Sequence, residues 1–143
     1  MLGQTMPRRV HLAVVWPDVV PLLLRGVKRI ETRFYHARRP PLGRIAIGDL
    51  IHFKPSGGEP VGMSQVISVQ EFTNLTPRRI DRLRQRFGRQ IKAPPSYWTI
   101  KRRCRYGVLI WLSALEPPAK DLTLPRQHGA GWVVLSELAA EDS

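Results

Sequence analysis

Apolar positions change period several times along the chain, and each change predicts an element. Val10-His11-Leu12-Ala13-Val14-Val15 is β-branched and apolar, which predicts a buried strand. Pro17 and Asp18 open a helix, and Pro21 still sits in its first turn, where proline is tolerated. Leu22, Leu23 and Leu24 carry its packing face as far as Gly26, a residue suited to the left-handed conformation that stops a helix. From about Lys28 to Tyr35 the pattern alternates. In a regular strand Arg29, Glu31, Arg33 and Tyr35 share one face and Lys28, Ile30, Thr32 and Phe34 the other. Leu42 to Ile47 predicts a short turn of helix and Asp49 to Lys54 a strand. Val61 to Phe72 predicts a longer strand, with Gly62 as a bulge.

Helical spacing returns at Thr76-Pro77, with Thr76 as the cap and Pro77 in the first helical position. Ile80, Leu83, Phe87 and Ile91 then fall on one stripe, and Arg78, Arg82 and Arg86 on another. Pro94-Pro95 stops this helix, and Ser96 is expected to cap a short second one through Tyr97, Trp98 and Ile100. Tyr106 to Leu115 reads as an apolar strand, Pro117 to Gln127 as a connection and Gly131 to Leu135 as the last strand. Five to six strands broken by glycine and proline turns, with two to three helices, predict an α+β barrel. The domain is expected over residues 9–136, with a loose basic leader at 1–8 and a frayed tail at 137–143.

Length and composition narrow this picture. A chain of 143 residues with 43% hydrophobic content supports one domain with one core. No apolar run approaches the ~20 residues that cross a bilayer, so no membrane partner is expected. No secretory pattern opens the chain, and Cys104 alone permits no internal disulfide; a cytoplasmic location is the simplest expectation. His11, His36, His52 and His128 lack metal-ligand spacing, so neither a metal site nor a cofactor is expected. Arginines flank Cys104 and would lower its pKa.

Charge changes the picture most. The net charge is +12, and the stretch from Pro77 to Arg105 holds eleven basic residues against Asp81 alone, so it carries +10 of that total. Most of the excess is arginine, whose fork matches phosphate, and acids at i+4 spacing are missing. Such a concentration is a footprint for a polyanion.

The candidate chemistry lies just after Gly26. Lys28 can bind a phosphate, or act as a base if burial lowers its pKa. Glu31 can accept hydrogen bonds from the amino edge of a base. Arg33 can clamp a phosphate or hold Glu31; equally, Glu31 and Arg33 could form an internal pair that stabilises the barrel. In a regular strand Lys28 and Glu31 point apart, so a shared cleft requires an irregular chain at Val27-Lys28. Lys28 is then expected to stay protonated, beside the C-terminal end of the preceding helix. Trp16, Tyr35, Tyr97 and Trp98 are the aromatics expected near the cleft, where unpaired bases stack beside cations. Trp111 and Trp132, in apolar strands, are expected in the core.

Gly26-Val27-Lys28-Arg29-Ile30-Glu31-Thr32-Arg33 resembles the G-x-K-x-x-E-x-R signature of the ASCH family, a branch of the PUA-like barrels. Gly48-Asp49-Leu50-Ile51-His52-Phe53 is similar to the family's G-D-x-I-x-F strand, and the similarity runs from Arg9 to Leu135. The resemblance implies a small barrel whose signature lines a cleft flanked by helices. Some members hydrolyse an acylated cytidine with a lysine, a threonine three residues later and a glutamate in the following helix. Lys28 matches the lysine, but Glu31 stands at the threonine position, Thr32 is one residue out of place, and the helix from Pro77 to Ile91 holds no glutamate. That activity is therefore not carried over. Other members are described as RNA-cleaving or nucleic-acid-binding.

These readings converge on an ASCH-type domain that binds nucleic acid, RNA ahead of DNA, with the partner a single-stranded nucleic acid or a modified nucleoside. Lys28, Glu31 and Arg33 are expected to read what enters the cleft, with Trp16, Tyr97 and Trp98 stacking and Arg78, Arg82 and Arg86 holding the backbone. Lys28 and Glu31 are also the candidate catalytic residues of the alternative, an RNA-processing nuclease or a hydrolase of a modified nucleoside. A protein-interaction module with an acidic partner is the third possibility.

Overall fold

The computed structural model describes residues 8–125 and 130–136. The expected tail lies outside these residues, as does the expected leader apart from Arg8. The strands are β1 (Val10–Val15), β2 (Ile30–Tyr35), β3 (Leu50–Pro55), β4 (Gly62–Phe72), β5 (Tyr106–Leu112) and β6 (Trp132–Val134). The helices are α1 (Val20–Leu24), α2 (Pro77–Ile91) and α3 (Pro95–Lys101), with a 3-10 turn at Pro17–Val19 ahead of α1. The strands form one curled half-barrel in the order β2-β5-β4-β3-β1-β6. β1 pairs with β3 in parallel; the other neighbours are antiparallel.

β4 makes the curl possible. Its first residues pair with β3 and its last with β5, and the register slips between Val66 and Ser68. The bulge therefore sits there and not at Gly62, where it was expected. Gly62 serves close approach instead: a side-chain carbon there would come within 2.8 Å of Leu115.

Alternation along the strands sorts the apolar residues into two cores. Ala13, Ile51, Phe53, Val66, Val108 and Ile110 fill one side of the sheet. Ile30, Phe34 and Leu109 point the other way and pack under α2 and α3 against Leu75, Ile80, Ile91 and Trp98. Phe34 needs Gly107 opposite it, because any side chain at Gly107 would overlap its ring. Leu83 and Phe87 complete the apolar stripe of α2, and Phe87 meets the half-buried Trp111 edge-on at 5.4 Å.

Thr76 caps α2 as expected, its Oγ1 accepting from the Arg79 N–H at 3.2 Å. Several boundaries differ from the sequence reading. α3 begins at Pro95 after a cap at Pro94, so Ser96 lies inside it; proline in the first helical position replaces a side-chain cap. Residues 40–44 form turns, not helix. In α1 only Leu23 is buried and Leu24 is 54% exposed, because a helix of five residues has one residue facing the sheet. β2 starts at Ile30, two residues later than expected.

Candidate functional site

The late start of β2 builds the site. α1 ends at Leu24, and Gly26, just past its cap at Arg25, lies in the left-handed region at φ 72°. The N–H groups of Val27 and Lys28 both donate to Leu22 O at 3.0 Å, which folds Val27 to Arg29 into a tight connection outside the sheet. The irregularity expected at Val27-Lys28 is present. Lys28 and Glu31 line one cleft of about 650 Å³ between the end of β1, β2, the end of α2 and α3.

Lys28 is buried, and its Nζ donates to the Ile91 carbonyl at 2.6 Å. That carbonyl is at the C-terminal end of α2, so this helix end holds the ammonium and not the end of α1. Burial pushes the Lys28 pKa below the ordinary lysine value of 10.5 and Arg33 lowers it further, against Glu31, which raises it. Desolvation outweighs the Glu31 attraction, contrary to the expectation that its neighbours would favour the charged form.

Glu31 is a buried carboxylate with one satisfied oxygen. Oε1 accepts from the Thr32 N–H at 2.9 Å. Oε2 has no hydrogen-bond partner and lies 3.8 Å from Arg33 Nη2. A buried unpaired acceptor beside an open cleft is a place for a ligand donor.

Arg33 does something that local reading did not foresee. It leaves edge strand β2 and crosses the open side of the half-barrel. Nη2 donates to Val14 O at 3.1 Å and Nη1 to Gly131 O at 3.3 Å, and the guanidinium stacks 5.2 Å from the Trp132 ring centre. It therefore closes the barrel with side-chain bonds where backbone pairing stops. Its Nε is buried without a partner.

Aromatic and apolar groups form the remaining walls. Trp16 stands at the mouth, 75% exposed, and Ile100 of α3 lines the cleft at 71% exposure. Tyr35 and Tyr97 also line it. The Tyr97 hydroxyl lies 2.6 Å from Thr32 Oγ1, and burial pushes its pKa up. Trp98 is not on the cleft; it packs into the core under α3 beside Phe34. A tryptophan on so short a helix gives no local sign of which face it occupies; here that face is set by packing against Phe34 of β2. Trp132, expected in the core, is buried there and holds Arg33 as well.

Arg78, Arg82 and Arg86 are exposed along α2 and do not line the cleft. The acid of this segment, Asp81, is taken by Arg102 of the turn after α3 at 3.1 Å. Lys92 and Lys101 join the arginine face to the cleft and line its rim; neither was singled out from the sequence. Lys101 Nζ donates to Phe34 O at 3.3 Å. Lys92 caps α2 in the left-handed region at φ 59°, a conformation that favours glycine.

Cys104 is buried, and burial raises its pKa while Lys101 lowers it; the arginines beside it in sequence do not activate it. Among the described residues no group of three His, Cys, Asp or Glu side chains could hold a metal ion, and no helix is long and apolar enough to cross a membrane.

No protein-family model matches the sequence, and no curated protein matches it. Solved structures do match in shape. The ASCH protein of Zymomonas mobilis superposes with a TM-score of 0.64 over 94% of this chain and 96% of that one, at 14% identity. Two single-residue variants of the same Zymomonas mobilis protein give TM-scores of 0.64 and 0.62 at 16% and 14% identity, covering 94% and 93% of this chain and 96% and 98% of theirs.

Proposed function

We propose that this chain, whose fold is that of an ASCH domain, binds single-stranded nucleic acid, RNA ahead of DNA, with one unstacked base or nucleoside in the cleft. The observation that carries the reading is the junction of two surfaces. A cleft with a buried, half-satisfied carboxylate, the buried Lys28 and the half-buried Arg33 opens at the end of a helix whose outer face is arginine. The exposed face of α2 suits phosphates, which position a strand without reading it. Glu31 Oε2 offers an acceptor, and Lys28 and Arg33 offer donors, to the edge of a base; Trp16 offers a stacking face. RNA is placed ahead because its 2′-hydroxyl adds a donor and an acceptor for a polar cleft.

The test is fluorescence anisotropy of a labelled single-stranded RNA at two salt concentrations. Each phosphate neutralised on a single strand contributes a slope of about −0.7 in log K against log salt. A steep negative slope, with DNA of the same sequence bound more weakly, is the expected result. No binding at low salt, or binding indifferent to salt, overturns the reading.

One observation favours an enzymatic reading. Lys28 has a depressed pKa and shares the cleft with Glu31, the combination that acid–base chemistry uses. Turnover of RNA or of acylated cytidine, lost in Lys28→Ala, would establish it. An acidic protein partner on the arginine face would show as a pull-down that survives nuclease treatment.

A further inference from the structure

The Gly48-Asp49 pair, in the turn just before β3, takes no part in the cleft, yet its carboxylate is held from three sides. Asp49 Oδ1 accepts from the Arg9 N–H at 3.1 Å; Oδ2 accepts from the Ala46 N–H at 3.1 Å and bonds His11 Nε2 at 2.9 Å. His11 is fully buried, and Trp132 Nε1 lies 3.0 Å from its Nδ1. An indole nitrogen can only donate. His11 Nδ1 must therefore accept, and the single ring proton sits on Nε2, aimed at Asp49.

A second proton on this imidazole has to go to Nδ1. It would place two N–H groups head to head across the 3.0 Å gap to Trp132. The indole would have to move, and the indole carries the Arg33 guanidinium 5.2 Å from its centre. Gly131, the residue before Trp132, supplies one of the two backbone carbonyls that Arg33 grips. Asp49, His11, Trp132 and Arg33 thus form one contiguous line from the turn before β3 through β1 and β6 to the wall of the cleft.

We propose that the His11–Asp49 pair positions Arg33 in the cleft through the Trp132 indole, holding it while the imidazole is neutral and releasing it when the imidazole is protonated. The groups facing His11 are Asp49, Arg9, Arg44 and Trp132. Burial, with Arg9 and Arg44, lowers its pKa from 6.5, against Asp49, which raises it. The neutral form therefore belongs to the native state. The support it gives is complete above pH 6.5 and is lost as the pH falls through the lower native value. The ligand side of this inference rests on the nucleic-acid reading of the cleft; the positioning of Arg33 does not.

The test is a pH titration of the whole chain followed in two ways. Imidazole, indole and guanidinium nitrogen resonances are recorded on the wild type, and single-stranded RNA affinity is measured on the wild type and on Trp132→Phe. The variant keeps a ring under Arg33 and removes the donor that conflicts with a protonated His11. The expected spectra show the Nε2–H tautomer at neutral pH, and Trp132 and Arg33 signals that follow the His11 midpoint below 6.5. Wild-type affinity should fall about tenfold through that midpoint, the scale of one charged hydrogen bond. In Trp132→Phe it should stay level or rise, because acid otherwise only adds positive charge to the protein. An Nδ1–H tautomer, an Arg33 signal indifferent to His11, or the same acid loss in the variant overturns the proposal. Absence of RNA binding at every pH overturns the nucleic-acid reading instead, and the wild-type spectra still decide the positioning of Arg33.

Discussion

The cleft and the outer face of α2 use the same basic side chains in opposite surroundings. In the cleft, Lys28 and Arg33 are withdrawn from water and held by backbone carbonyls on other elements. On α2, Arg78, Arg82 and Arg86 stand in solvent, with Asp81 already committed to Arg102. Desolvated charges have one geometry and a high cost if misplaced, so they suit discrimination. Solvated charges adapt to any phosphate and are screened by salt, so they suit affinity without choice.

The sharpest way to break this comparison is Lys28→Met. Removing a buried charge-assisted donor should weaken binding about 10- to 150-fold, from the ~1.5–3 kcal/mol of a hydrogen bond to a charged group. The fold should survive, because methionine fills the space of the lysine stem and the lost partner is a single carbonyl, Ile91 O. Anisotropy and thermal unfolding together check it. A folded variant with unchanged affinity would make the signature structural and leave the arginine face as the sole ligand surface.

Glu31→Gln comes next and sharpens the comparison. It turns an acceptor-only group into one that also donates, so preference between ligands with a donor edge and ligands with an acceptor edge should shift by about tenfold. Total affinity for mixed sequences should change less. The same substitution removes the charge that raises the Lys28 pKa, so that pKa should fall further, which lysine side-chain NMR would report. A loss of affinity equal for all ligands would count against a reading role for Glu31.

How much of this division was legible in the sequence follows from range. The β-branched run at Val10 to Val15 and the alternation through Phe34 have period and propensity behind them, and both are strands. Thr76-Pro77 carried its helix start in two residues. The charged residues after Gly26 were visible, and the break at Val27-Lys28 followed from needing Lys28 and Glu31 on one side. The partners were not visible: Ile91 O is 63 residues from Lys28, and Trp132 is 121 from His11. No local period encodes such pairings, since the curl of β4 across both halves of the sheet creates them. Trp98 was misplaced for the same reason; a tryptophan on a short helix looks alike whether it faces a ligand or Phe34.

Arg82→Ala tests the other half of the comparison with a smaller effect. Binding should weaken a few-fold for RNA and DNA of every sequence, and the salt slope should flatten by about one contact, or 0.7 on a single strand. Stability should change little, because Arg82 is an exposed helix residue and alanine is a better helix former. A sequence-dependent loss would mean that the two surfaces are not separate.

The smallest expected effect belongs to the residue where the surfaces meet. Lys92→Gly removes one charge at the cleft rim and at the same time relieves the left-handed backbone at φ 59°. The relief is worth about 1–2 kcal/mol, and the added freedom of glycine in the unfolded chain returns roughly half of that. The net gain is about 1 kcal/mol at most, or ~3 °C in Tm. If lysine is kept for its charge, the variant should be slightly more stable and bind RNA a few-fold more weakly, with the slope reduced by one contact. The opposite signs separate this outcome from ordinary damage, which lowers both. Unchanged binding in a stabilised variant would show that the cleft and the arginine face are not joined through Lys92, and that a strand crossing from one to the other takes a different path.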